Sequence, residues 1–334
     1  MAPTTHRYTR LLLSTLLSLG FADAIRAADA LAAPPSDPPR AELHALIENV
    51  PQANARRYGS TDSLGRSMDT AKLLQDPAGG YLAVYHTYIN GIPRVSVASS
   101  TDLIQWTFRR ELGTYASQPH MVALPTGAYV IAWEQEPNNH LAFRYYANRT
   151  DLFNGVAARS FDAPRTLSSC AEGTPNIYSV TLSPDIDHSV IDVGAHYYWN
   201  CDRDRQQRGR LTNFRSWTTS AQGLVDNALL HWGVGGNIGD RDAMAYKGFS
   251  YGLMEGQYTK NDFGSWRSFI YDYQTGNAEP LNMRTDAGST AFANPSFTAL
   301  TAPNGQRAIA VSLFLPGEGA KPGEAGQLIY YRTY

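Results

Sequence analysis

Carboxylates head several β-rich runs of this chain. Asp69 in Met68-Asp69-Thr70-Ala71-Lys72, Glu172 in Glu172-Gly173-Thr174-Pro175-Asn176 and Asp242 in Asp240-Arg241-Asp242-Ala243-Met244 each precede residues that turn apolar. His120, in Gln118-Pro119-His120-Met121, and Asn294, in Ala293-Asn294-Pro295-Ser296, have the same setting. A polar group buried at a strand head costs free energy unless it is paired or used. Behind Glu172, Gly173 permits a close approach and Pro175 limits the backbone, which suits a carboxylate aimed by a stiff turn. Carboxylates can divide acid–base labour, one donating a proton to a leaving oxygen and one activating water or attacking carbon. That division suits cleavage of a glycosidic bond if the fold gathers these distant residues around one pocket. Arg241 would help to hold one carboxylate ionised, or else forms a plain ion pair. His120 and Asn294 either contact a ligand or cap strand ends across a channel.

The elements that must position them are short β-rich runs separated by Gly, Pro, Asn and Asp, as at residues 81–86, 94–98, 128–133, 141–146 and 308–314. Such spacing predicts an all-β sandwich or propeller, and a repeat decides between them. Thr101-Asp102-Leu103-Ile104-Gln105-Trp106 is echoed by Thr150-Asp151-Leu152-Phe153, by Thr212-Asn213-Phe214-Arg215-Ser216-Trp217 and by Asn261-Asp262-Phe263-Gly264-Ser265-Trp266. Their apolar anchors recur at the period of a four-stranded propeller blade, about 40–50 residues, with one longer interval. Units near 62–112, 113–165, 168–222, 236–280 and 285–334 then give a five-bladed β-propeller of four-stranded antiparallel blades. The run 328–332 is its ring-closing strand, paired with chain before residue 62. The domain is expected to span residues 61–334. A Pro-rich leader and one short helix at 41–50, with Leu43, Leu46 and Ile47 on one side, occupy 31–60.

The chain has 334 residues, a formal charge of −2 and 17% charged residues, which argues against nucleic-acid or membrane-surface binding driven by bulk charge. His6, Arg7 and Arg10, the apolar run 11–21 and Ala-rich sites up to residue 30 read as a secretory signal peptide over residues 1–30. The mature protein is therefore expected to be extracellular and free of the membrane. Export makes the two cysteines, Cys170 and Cys201, a disulfide pair across the ends of a hairpin.

These pieces resemble the five-bladed propeller glycosidases of the arabinanase and β-xylosidase type, glycoside hydrolase family 43 and its relatives. Ser100-Thr101-Asp102-Leu103-Ile104-Gln105-Trp106 is similar to their S-x-D-L-x-x-W strand, Met68-Asp69 to the first inner strand that carries the general base, and Ala171-Glu172-Gly173-Thr174-Pro175 to the E-G-P turn that carries the general acid. The resemblance implies an inverting hydrolase of arabinose- or xylose-containing glycans. Glu172 would be its acid and Asp69 its base, with Asp242 in support. The family's second-blade Asp is replaced by His120, which puts catalytic completeness in question. Gln118, His120, Trp133, Glu134, Asn176, Arg241 and Asn294 are expected to bind the sugar, with Gln135, Tyr251, Glu255 and Gln257 near the pocket. No cofactor is expected. Relatives of this kind can hold a structural calcium on the axis, which His120 would touch, but no metal-ligand spacing calls for one. The first alternative is a non-catalytic carbohydrate-binding propeller. A sialidase-like hydrolase ranks last, because Ile104-Gln105 stand where an Asp-box needs Gly and Thr.

Overall fold

The computed structural model describes residues 37–334; the signal-peptide expectation falls outside them. Five four-stranded antiparallel sheets form the blades of a β-propeller. Blade one is β2 (Asp69–Gln75), β3 (Tyr81–Ile89), β4 (Ile92–Ser100) and β5 (Thr107–Thr114). Blade two is β6 (Ala116–Ala123), β7 (Tyr129–Gln135), β8 (His140–Tyr146) and β9 (Arg159–Asp162). Blade three is β10 (Glu172–Leu182), β11 (Ser189–Trp199), β12 (Arg203–Thr212) and β13 (Ser216–Ala221). Blade four is β14 (Ile238–Tyr246), β15 (Phe249–Gln257), β16 (Trp266–Asp272) and β17 (Asn277–Pro280). Blade five takes β18 (Ala293–Thr301), β19 (Arg307–Leu315) and β20 (Gly326–Thr333) from the end of the chain, and its outer strand β1 (Ala55–Arg57) from the beginning. Ala55 pairs with Tyr331 and Arg57 with Ile329, which closes the ring by joining the two ends of the chain in one blade.

The segment before β1 also belongs to the packed structure. Helix α1 (Pro38–Glu48) starts with Pro at its first turn, and the Asp37 side chain accepts from Arg40 N at its N-terminus. Leu43, Leu46 and Ile47 are buried with Tyr246 and Tyr251 of blade four and Leu313 and Tyr330 of blade five. Two further helices, α2 (Arg149–Asn154) and α3 (Gly223–Leu230), lie in connections; the sequence reading anticipated neither.

The repeated turn has a physical cause. Ser100 Oγ accepts the N–H groups of Asp102 and Leu103, and Asp102 Oδ1 accepts those of Ile104 and Gln105. This orders the connection from the third to the fourth strand and drives Leu103 into the core. Leu152 and Phe214 are buried at the corresponding connections. The fourth echo is a false match. Phe263 lies between β15 and β16, the second and third strands of its blade, and is 54% exposed.

Candidate functional site

Every innermost strand carries an irregularity near its head. The register shifts between Asp69 and Lys72, Ser117 and His120, Gly173 and Asn176, Asp240 and Asp242, and Ala293 and Ser296. Thr70, Gln118, Thr174 and Asn294 sit within these bulges at φ 54°, 53°, 52° and 47°, left-handed values that cost non-glycine residues about 1–3 kcal/mol each and collect at functional sites. Pro119, Pro175 and Pro295 follow three of them, where no ladder donor is needed. The bulges sort the strand heads into layers. Thr70, Gln118, Thr174, Arg241 and Asn294 occupy the bulges, and Lys72, His120, Asn176, Asp242 and Ser296 lie one step deeper. The five heads expected to be equivalent (Asp69, His120, Glu172, Asp242 and Asn294) therefore stand at different depths, because a bulge slips the side-chain count.

The deeper layer is a closed hub. Asp242 is fully buried. Its Oδ2 accepts from Lys72 Nζ at 2.5 Å, Ser296 Oγ at 2.7 Å and Phe297 N at 2.9 Å. Its Oδ1 lies 3.2 Å from His120 Nε2, and His120 Nδ1 accepts from Ile177 N at 3.3 Å. With Nδ1 accepting, His120 is the neutral tautomer that donates through Nε2. All five innermost strands are thereby joined through one carboxylate. Burial alone would push the Asp242 carboxyl up, but the Lys72 charge and His120 hold it well below the ordinary aspartate value. Burial keeps His120 below the ordinary histidine value despite Asp242. This corrects the sequence reading of both residues: neither Asp242 nor His120 has a free atom for substrate. Nor do they suit an axial calcium, because Lys72 already supplies the positive charge and both His120 nitrogens are engaged. Among the described residues no group of three or more His, Cys, Asp or Glu side chains could hold a metal ion.

Above the hub lies a cavity of about 200 Å³, lined by Gln118, Thr174, Arg241 and Asn294 of the bulge layer, by His196, Asp204 and Glu255, and at its mouth by Phe263, Trp266 and Pro316. A third layer lies on the second strand of each blade, and His196, Glu255 and Phe314 of it line the cavity. His86 pairs with Asp69, Glu134 with Ser117, His196 with Gly173, Glu255 with Gly239 and Phe314 with Ala293. Arg241 donates to Gln118 Oε1 at 2.7 Å, and its Nε lies 3.4 Å from Glu255 Oε1. Glu255 Oε2 accepts from Asn294 N at 2.5 Å, and His196 Nε2 lies 3.6 Å from Asp204 Oδ1. Burial raises both Glu134 and Glu255, opposed at Glu134 chiefly by His196 and Asn139 and at Glu255 chiefly by Arg241. Burial, with the Arg241 charge, pushes His86 down to about 4.

Asp69 is partly buried opposite His86, and its carboxyl accepts from Ser67 Oγ at 3.1 Å. Burial raises it above the ordinary aspartate value. Tyr88 is raised first by burial and then by Glu136, Asp69 and Glu134.

Glu172 is used differently from the expectation. Its Oε1 accepts the backbone N–H groups of Thr166, Leu167 and Ser168 at 2.6, 2.5 and 3.1 Å, and Oε2 accepts from Gln207 Nε2 at 3.3 Å. A general acid must present an O–H to a leaving oxygen; this carboxyl faces donors only, and it holds loop 166–168 in place. Trp133 is also displaced from the expected pocket wall. It is 1% exposed within the core between blades one and two, its Nε1 donating to Gln135 Oε1 at 2.9 Å. Tyr251 is core as well, with its hydroxyl on Asp37, and Gln257 donates to Asp262 O. Asn176 is fully buried in the hub layer. Cys170 and Cys201 form the disulfide, with Cα atoms 5.7 Å apart.

His86 and His196 were not singled out from the sequence. The signal was there: each lies in a strand run near the end that meets the hairpin turn, where alternation would otherwise place an apolar residue or leave a charge in solvent.

No family model matches the sequence, and no curated protein matches it significantly. Solved structures share its fold. An exo-1,5-α-L-arabinanase from a bovine ruminal metagenomic library superimposes with a TM-score of 0.53 at 10% identity, over 80% of this chain and 92% of that one. An endo-1,4-β-xylanase from Bacteroides thetaiotaomicron gives 0.50 at 10% identity, over 80% and 90%. A sucrose-6-phosphate hydrolase from Lactobacillus gasseri gives 0.50 at 11% identity, over 86% of this chain and 62% of that one.

Proposed function

We propose that this chain is an exported glycoside hydrolase of arabinose- or xylose-containing glycans, working by acid–base catalysis with inversion. The observation that carries the reading is that Asp69 and Glu134 stand at the same register level of neighbouring blades, Asp69 paired with His86 and Glu134 with Ser117 just ahead of each bulge, and that burial raises both carboxyls. Glu134 is the proton donor: burial favours its protonated form, so it can protonate the leaving oxygen as the glycosidic bond breaks. Asp69, the more polar of the two settings, takes the proton of the attacking water as the new bond to the anomeric carbon forms. Inversion requires the carboxyls to be about 6.5–9.5 Å apart, with room for that water. Arg241, Gln118 and Asn294 are placed to bind hydroxyls, and Trp266 to cover the apolar face of the ring. The shared fold with an arabinanase and a xylanase supports the choice of pentose. The basic start and apolar run at residues 1–21 support export.

One observation favours a second reading, a propeller that binds carbohydrate without cleaving it. None of the residues in the bulges (Thr70, Gln118, Thr174, Arg241 and Asn294) is a carboxylate. The two readings separate in one experiment. Aryl arabinofuranosides, aryl xylosides, arabinan and arabinoxylan are incubated with the protein and the released sugar is followed by NMR. The hydrolase reading expects turnover with an inverted anomer first, reduced at least a thousandfold in Glu134→Gln and Asp69→Asn. Binding with no product at any pH selects the second reading.

A further inference from the structure

Among the described residues, the large aromatic side chains exposed to solvent are Tyr88, Tyr115, Trp199 and Phe263. All of them stand at one end of the propeller. Tyr88 is the penultimate residue of β3 and Trp199 ends β11, Phe263 lies between β15 and β16, and Tyr115 joins β5 to β6. Those connections surround the cavity, whereas chance would scatter exposed aromatics over both ends. Two of the four are held in a common frame. Trp199 opens the turn to β12, which is bonded to the chain before β10 through Cys201 and Cys170. Asp202 of the same turn forms an ion pair with Lys260, on the connection that carries Phe263, and receives Arg203 Nε at 2.7 Å. Arg203 also donates to Gly235 O at 2.8 Å. The turn bearing Trp199 and the connection bearing Phe263 are thus cross-tied before any ligand arrives, which reduces the ordering cost of binding.

We infer that Trp199 and Phe263 form an outer platform for a neutral polysaccharide, on which sugar units beyond the one in the cavity stack over blades three and four. This rests on the reading of the protein as carbohydrate-active. The charged groups of the frame are engaged within it, Asp202 by Lys260 and Arg203, and Arg203 also by Gly235 O, so the platform offers aromatic faces to the glycan. The disulfide thereby becomes a device that stiffens a binding surface as well as a staple of the fold.

The test is affinity electrophoresis of the full chain through gels containing soluble arabinan or arabinoxylan, with thermal melting as the control for folding. Wild-type protein is expected to be retarded, and Trp199→Ala to lose about three- to tenfold in apparent affinity, the scale of one aromatic stacking contact. Trp199→Phe should retain most of the retardation. Cys170→Ser/Cys201→Ser should weaken it although neither side chain reaches the glycan. The proposal is overturned if neither polymer retards the wild type, or if Trp199→Ala migrates as the wild type does. Retardation lost in Trp199→Ala with no hydrolysis of any substrate keeps the platform and removes the hydrolase. Cleavage of aryl glycosides without retardation by polymer does the reverse.

Discussion

Lys72 and Asp242 stand 170 positions apart in the chain and meet at 2.5 Å on the propeller axis. The contact joins blade one to blade four, and the other partners of Asp242 bring in blades two and five directly and blade three through His120. A ring of separate sheets has little to hold its centre except such cross-links. A buried carboxylate satisfied by an ammonium, a hydroxyl, an imidazole and a backbone N–H is an efficient one. The floor of the candidate site is therefore a structural lock, and the chemistry must come from the layers above it.

Lys72→Met leaves Asp242 buried without its charge partner. Such a change costs about 3–5 kcal/mol, to be read from urea unfolding. The Asp242 carboxyl is held below its ordinary value in the folded protein. Its contribution is therefore present above the unfolded pKa of about 4 and is lost as pH falls below it. In Lys72→Met that acid-side loss should shrink. An unchanged midpoint in the variant would show that the hub does not hold the ring.

Glu172→Gln separates the structural from the catalytic account of that residue. The amide keeps one acceptor but places an N–H₂ among the donors of loop 166–168, so about 1–3 kcal/mol of stability should be lost, with faster proteolysis of that loop. Turnover per folded molecule should persist. A stable, folded and inactive Glu172→Gln would return the residue to the role of acid and displace Glu134.

Much of the architecture was legible because propeller blades repeat. The turns that bury Leu103, Leu152 and Phe214 mark three blades, and the strand runs between turn residues mark the rest. Phe263 matched the same pattern only by local composition: its Asp262 accepts Gly264 N in a short turn at the other end of its blade. The site was less legible, since a bulge of one residue changes which side chain faces the axis, and no local signal in the sequence fixes the bulge. Asp69, Glu172 and Asp242 all head inner strands, yet one is partly buried opposite His86, one holds a loop and one is sealed in the hub. Glu134 was named for the pocket but not for catalysis, because the second strand of a blade reads as ordinary alternation until its pairing with Ser117 is known.

Acid should weaken the fold before the hub carboxylate titrates. Burial and the Arg241 charge push His86 from an ordinary 6.5 down to about 4. A folded pKa below the unfolded one means that its contribution is full above 6.5 and is lost as pH falls toward 4. The loss would be at most about 3 kcal/mol. Unfolding midpoints measured between pH 7 and 4 should fall over this window, and the decline should shrink in His86→Gln. A flat profile over that range in the wild type rejects the assignment.

Asp226 on α3 has the opposite sign. Burial raises its carboxyl to about 6, against the Gln206 N–H and the Arg205 charge. Its favourable contribution is present at low pH and is lost as pH rises from about 4 through 6. Asp226→Asn keeps an acceptor for Gln206 N, so it should stabilise the protein by about 1–3 kcal/mol at pH 7.5 and change little at pH 4. Equal effects at both values would mean that the charge is not the cause.

Gly173 offers a test of Glu134 that leaves Glu134 in place. A Cβ added at Gly173 would lie 2.1 Å from Glu134 Oε2 and 2.5 Å from its Cδ, so the carboxyl must swing aside and strain its 2.6 Å contact with Asn139 Nδ2. The obstacle meets the far end of a side chain rather than backbone, and the stability cost of Gly173→Ala should stay near 1 kcal/mol. Displacing a proton donor by about 1 Å, in contrast, costs on the order of a hundredfold in rate. Activity should therefore fall much further than stability, with KM for the aryl glycoside nearly constant, because Arg241, Gln118 and Asn294 are untouched. If kcat survives the alanine, Glu134 is not the acid, and the proton must come from another carboxyl of the second-strand layer, of which Glu255 is the one already lining the cavity.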